Sequence, residues 1–130
     1  METKSISTNI ANGMIHYLNR SEPISAVEWT GHPKFKGVYL KHMIKGADTN
    51  GLFSSHLVKI DPHCCLDTHC HENQLELHEF IEGNGWCQLV EERFDVHLGK
   101  MTLIPRGQCH EVHAGENGLT LMAKFFPALL

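Results

Sequence analysis

Short runs of alternating apolar and polar residues fill most of this chain, and turn-forming residues cut them at intervals of ~8–12 residues. The clearest runs are 53–60 (FSSHLVKI), 75–82 (LELHEFIE), 86–90, 94–98 (FDVHL), 101–104, 110–114 and 119–126, each read as a strand. Asp61-Pro62 closes the first run, and Pro105-Arg106-Gly107 and Pro127 close later ones. Gly83-Asn84-Gly85 and the GENG at 115–118 are expected to be tight turns, so that 86–90 returns beside 75–82. Upstream, 38–44 (VYLKHMI) reads as a strand from its β-branched and aromatic content, and 24–29 (ISAVEW) as a shorter one. Residues 30–33 read as a turn and 46–51 (GADTNG) as a loop. Residues 10–19 offer one or two helical turns, stopped by Pro23. Amphipathic helices do not alternate with the strands, which excludes a parallel α/β fold. The pattern predicts an all-β, antiparallel sandwich or barrel.

Composition narrows the picture further. A chain of 130 residues with 42% hydrophobic content suits one domain with one core. The formal net charge of -4 carries no basic footprint, so no nucleic-acid partner is expected. No apolar run approaches the ~18 residues that span a bilayer, so no membrane partner is expected. The opening METKSISTNIANG lacks the apolar stretch of a signal peptide, and a cytoplasmic location is expected. Five clustered cysteines, an odd number, predict reduced thiols rather than a disulfide framework. Eleven histidines are an excess for this length and raise the expectation of a metal site.

That expectation concentrates in residues 61–85 (DPHCCLDTHCHENQLELHEFIEGNG). Side chains two apart on a strand share a face, their Cα atoms roughly 6.5 Å apart. His69 and His71 can therefore point at one ion, while Cys70 points to the other face. Glu76 begins the next strand and can return a carboxylate to the same place. Parity then sorts the neighbours: Glu79 falls on the face opposite Glu76, Glu72 is out of phase, and His78 and Phe80 share Glu76's face. His110 follows the rigid Pro105-Arg106-Gly107 turn, which can aim it inward. Three imidazoles and one carboxylate suit one divalent transition metal, with Fe, Ni, Zn, Mn, Co and Cu all accepted. A six-coordinate ion would keep about two positions open, the property of a catalytic rather than a structural site.

These residues match a family pattern. His69-x-His71, four residues, Glu76, six residues, Gly83 resembles the first motif of the cupins. Gly99, five residues, Pro105-x-Gly107, two residues, His110 resembles their second motif. The likeness runs from about residue 60 to 127 and is closest to the small single-domain cupins. Two positions depart from it: Ala114 stands where the second motif often ends in asparagine, and His63 where the first often opens on glycine. The resemblance implies an antiparallel jelly-roll β-barrel of six to eight strands with the metal inside one end. It also implies a homodimer, with residues 1–37 as an N-terminal extension available for contact and residues 38–130 as the barrel.

The implied function is a metal-dependent protein that acts on a small oxygen-bearing metabolite, with a dioxygenase favoured over an isomerase or lyase. The alternative is a non-catalytic metal- or ligand-sensing module. His78 is the candidate acid/base group or partner of a ligand, against the plainer reading of a hydrogen-bonded barrel histidine. His113 is expected to face outward and be solvated. His16, His32, His42, His56, His63 and His97 have no spacing argument and are assigned nothing. Adjacent Cys64 and Cys65 cannot easily share an ion, so the cysteines read as small apolar residues. Cys87 is a candidate for the cavity wall. Trp29 and Trp86 read as core or interface residues.

Overall fold

The structure is a computed structural model and describes residues 5–130. The first four residues of the predicted extension lie outside the described residues. The chain opens with helix α1 (Ile6–Ala11), capped by the Ser5 side chain, which accepts the Thr8 N–H. A small hairpin follows, β1 (Met14–His16) against β2 (Ser21–Pro23), then a 3-10 turn at Ile24–Ala26. The barrel strands are β3 (Thr30–Gly31), β4 (Val38–Ile44), β5 (Ser54–Ile60), β6 (Cys65–His69), β7 (Leu75–Leu89), β8 (Glu92–His97), β9 (Met101–Ile104) and β10 (His110–Phe126). One short helix, α2 (Gly46–Thr49), joins β4 to β5.

Every barrel pairing is antiparallel, in the order β3-β4-β5-β10-β7-β8, with β6 added to β10 and β9 to β7. The two long strands organise this arrangement. The first half of β10 pairs with β6 and its second half with β5, while β7 runs beside it throughout. Likewise β7 offers its first half to β9 and its second half to β8. Side chains from both halves meet in one core, in which Val38, Val58 and Leu121 pack with Leu66, Val96 and Val112. A sheet folded over two shared strands in this way is a jelly-roll barrel.

Glycine makes the fold-over possible, and here two sequence expectations are corrected. Gly83-Asn84-Gly85 is not a turn, and 86–90 is not a returning strand. β7 is one strand of 15 residues through that point. Similarly, 115–118 lies within β10. Pairing shifts register between Ala114 and Leu119 but does not reverse. A Cβ on Gly85 would lie 1.9 Å from the His113 carbonyl oxygen, and one on Gly83 would lie 2.1 Å from that of Gly118. Gly83 also has φ +82°. These glycines let two backbones approach and bend together, and a composition that permits a bend looks like one that permits a turn.

The N-terminal region also differs from expectation. Residues 24–29 begin with the 3-10 turn instead of a strand, and strand β3 occupies part of the expected turn at 30–33. The helix lies at 6–11, not 10–19, and 46–49 is helical rather than loop. The segment packs on the barrel. Ile10, Ala11 and Ile15 join Ile24, Met43 and Leu57 in a second apolar cluster. The buried Lys41 ammonium donates to the carbonyls of Ile24 and Val27, which fixes the turn against β4.

Candidate metal centre

The site forms where β6 ends, β7 begins and β10 begins. Pairing of β6 with β10 sets His69 opposite His110. Along β7, Glu76, His78 and Phe80 are all buried, while Glu79 lies on the other face and pairs with Lys124 through Oε1. The period of two read from the sequence is thus followed here. His71 lies in the connection between β6 and β7, half-buried, its ring 5.1 Å from that of Phe125.

One metal-ligating atom from each of His69, Glu76 and His110 lies within 4.8 Å of the others. His110 Nε2 is 3.4 Å from Glu76 Oε1, and His71 Nε2 is 3.8 Å from the same oxygen. Three of the four residues predicted as ligands, His69, Glu76 and His110, therefore gather in one group, and His71 lies beside it. His78 Nε2 meets the other carboxylate oxygen, Glu76 Oε2, in a short contact. His78 is thus engaged with a candidate ligand and does not stand free toward the cavity.

The ring orientations test whether these residues fit an ion. His69 Nδ1 lies 2.7 Å from the Asp67 carbonyl oxygen, and His110 Nδ1 lies 3.2 Å from that of Gln108. A carbonyl only accepts, so both Nδ1 atoms carry the hydrogen, and in the neutral ring each Nε2 keeps a lone pair. Backbone carbonyls orient metal-bound histidines in this way. Glu76 Oε1 and His110 Nε2 are buried with no hydrogen-bond partner among the described residues. Buried polar atoms are satisfied as a rule, and an unpaired carboxylate oxygen beside an unpaired imidazole nitrogen points to a group that would complete both. Two oriented imidazoles, a third beside them and a carboxylate fit a borderline divalent metal.

Burial pushes the Glu76 carboxyl up, but its contacts with His110 and His78 outweigh burial and hold it well below the usual carboxylate range. Burial lowers His69 to about 4 and lowers His71 as well. For His110, burial acts downward, but Glu76 and the Gln108 carbonyl outweigh it and raise the ring.

The group opens onto a cavity of about 200 Å³. Phe35, Leu40, Val58, Leu66, Leu121 and Phe125 supply its apolar walls, and His32, His42 and His56 also line it. These last three were assigned nothing from sequence. The available signal was faint: His42 shares its strand face with Leu40, but β5 is buried on both sides at residues 54–58, so alternation there singles out no face for His56. Cys87 does not line the cavity. It is buried in the core, where burial pushes its thiol up to about 12.

Two further expectations change. Cys70 and Cys109 form a disulfide, with Cα atoms 4.3 Å apart, against the prediction of reduced thiols throughout. The cause is the register that serves the site: with His69 opposite His110 in an antiparallel pair, residue 70 must face residue 109. Cys64, Cys65 and Cys87 are free thiols. His113 is not simply solvated. Its ring stacks on Trp86 at 3.7 Å, with the Arg93 guanidinium 3.8 Å over the indole.

With this geometry described, comparison with known proteins places the fold. The sequence model of the AraC-like ligand binding domain matches residues 63–125. No curated protein sequence matches the chain. Among solved structures, KdgF from Halomonas sp. aligns at a TM-score of 0.69 and 19% identity, over 79% of this chain and 90% of that one. A cupin-2 domain from Rhodospirillum rubrum aligns at 0.70 and 13%, over 78% and 70%. A single-residue variant of Bacillus subtilis oxalate decarboxylase aligns at 0.70 and 20%, over 82% of this chain, which spans only 29% of that protein. The folded-over antiparallel barrel and these structures together show that the chain has the cupin-type jelly-roll fold.

Proposed function

We propose that His69, His71, Glu76 and His110 hold one divalent transition metal and that the protein acts on a small oxygen-bearing metabolite bound in the adjoining cavity. The observation that carries this reading is the pair of Nδ1–H donations to backbone carbonyls, which leave the Nε2 atoms of the neutral His69 and His110 rings as lone pairs beside Glu76 Oε1. Fe, Ni, Zn, Mn, Co and Cu all suit this donor set. When bound, such an ion supplies Lewis acidity toward an oxygen-bearing substrate, or redox chemistry if it is iron.

The protein's own residues have separable parts in this proposal. Asp67 and Gln108 fix two imidazole rings. Glu76 brings the negative charge that offsets the ion. His78 holds Glu76 Oε2 and so aims Oε1 at the site, an orienting role that its contact supports better than a free acid/base role. The apolar walls exclude water around the reacting end of the ligand.

Oxidation by dioxygen is the reaction placed first, with isomerisation and lyase chemistry beside it. The oxalate decarboxylase neighbour adds oxalate to the small acids worth trying. The test is anaerobic loading with Fe(II), followed by an oxygen-uptake screen over small hydroxy- and oxo-acids including oxalate. The expected result is uptake that depends on one class of acid and on loaded metal. Retained iron with no uptake for any acid would discard the dioxygenase reading.

The match to the AraC-like ligand binding domain favours a second reading, a metal- or ligand-sensing module. Saturable binding of an acid by the zinc form, with no product under any condition, would select it.

A further inference from the structure

Along the same sheet as His78, on the far side of β10, the cavity is lined by a second polar group that the metal proposal does not use. His42 of β4 and His56 of β5 face each other in register, and their Nδ1 atoms are 2.8 Å apart. That contact holds a single hydrogen: one Nδ1 donates and the other accepts. His56 Nε2 lies 2.8 Å from Ser54 Oγ, which also accepts the Leu129 N–H at 2.9 Å.

Two neutral arrangements satisfy the chain. In one, the Ser54 hydroxyl donates to His56 Nε2, His56 Nδ1–H donates to His42 Nδ1, and His42 Nε2 carries a hydrogen. In the other, His56 Nε2–H donates to Ser54, His42 Nδ1–H donates to His56, and His42 Nε2 is an acceptor. Either way His42 Nε2 has no partner among the described residues, and His42 lines the cavity. This histidine can therefore meet a donor or an acceptor without a change of charge. Burial keeps the pair neutral: it lowers His56 to about 4 and lowers His42 too.

The span between the two polar ends is short and apolar. The Phe125 ring stands between them, 5.5 Å from the His56 ring and 5.1 Å from that of His71. Leu40, Val58 and Leu121 line the same space, and the charged Lys34 on the lining is exposed. At the other end, a divalent ion with one carboxylate ligand keeps one positive charge, which matches one carboxylate on the bound molecule.

We propose that His42, set by His56 and Ser54, is the specificity-determining contact for the far end of the ligand. It hydrogen-bonds a neutral hydroxyl or carbonyl while an anionic, oxygen-bearing head lies at His69, Glu76 and His110. The ligand class is a short oxo- or hydroxy-acid with a second, uncharged oxygen beyond an apolar linker. This inference rests on the metal reading above for the position of the head.

The test uses the full chain loaded with Co(II) and two probes that differ only at the far end, 2-oxopentanoate and 5-hydroxy-2-oxopentanoate. Calorimetric titration is expected to show about tenfold tighter binding of the hydroxylated probe, the value of one hydrogen bond in a dry site. In His42→Phe the two probes are expected to bind within about twofold of each other. Equal binding of both probes by the wild type, or an undiminished preference in His42→Phe, would overturn the proposal. A second measurement covers a variant that fails to fold. In ¹⁵N NMR of the wild type, the ring nitrogens of His42 are expected to shift with 5-hydroxy-2-oxopentanoate and not with 2-oxopentanoate. If the protein takes up no cobalt, the metal reading fails, and the same NMR titration on metal-free protein decides the His42 assignment. An unshifted His42 then rejects it.

Discussion

Glu76 is the residue on which the site converges, with His71, His78 and His110 all directed at its carboxylate. The identity of its strand face was legible because a period of two declares itself within eight residues: 76, 78 and 80 turn inward and 79 outward. Glu76→Gln keeps the shape but removes the charge, and it is expected to lower metal affinity by about tenfold or more, with Glu79→Gln near wild type. Competitive titration with a chromophoric chelator would measure both. Equal losses in the two variants would mean that the face is wrongly assigned. Acid provides another residue-scale prediction. His56 and His69 titrate near 6.5 when unfolded but stay neutral to about 4 in the metal-free fold. Between those values the unfolded chain binds more protons, so stability is full above pH 6.5 and falls as pH drops toward 4. The expected loss is on the order of 2 kcal/mol per ring by pH 4.5. Urea unfolding across that range should show it, with a shallower dependence in His56→Gln. A slope unchanged by that substitution would remove His56 from the account.

At the scale of elements, the strand segments from residue 38 onward were largely readable, but where a strand continues or ends was not. Sequence shows where a chain is free to reverse and not whether it does. At 83–85 and 115–118 two glycine-rich segments lie side by side and bend together, and only the pairing of β7 with β10 reveals it. The Cys70–Cys109 disulfide has a different history. Once His69 and His110 are taken as neighbours on antiparallel strands, residues 70 and 109 follow, so the information was present and the cysteine count obscured it. This bond joins the segments that carry three of the four candidate ligands. With its cysteines 39 positions apart in sequence, chain entropy assigns it about 4 kcal/mol of stability. Reduction by a phosphine is therefore expected to lower the urea midpoint and speed metal release to a chelator. Cys70→Ser should behave like the reduced protein. If oxidised and reduced forms release metal at one rate, the disulfide supports the fold but not the site.

For the molecule as a whole, topology explains why the candidate metal ligands and the cavity coincide. The strands that bend between the two halves of the barrel, β7 and β10, contribute Glu76 and His110, and their inner faces continue into the apolar lining through Leu121 and Phe125. The barrel class was legible because motif spacing encodes this crossing, and the same spacing brings His69, Glu76 and His110 together. The cavity's other polar end was not, because His42 and His56 come from strands outside the motifs and meet only through the β4–β5 register. Every functional statement about the chain depends on the ion. The most direct measurement is elemental analysis of untagged protein, wild type beside the His69→Ala/His110→Ala double variant. The account predicts about one transition-metal ion per wild-type chain and less than about a tenth of that in the variant. Equal metal content in the two proteins, whether negligible or full, would contradict it.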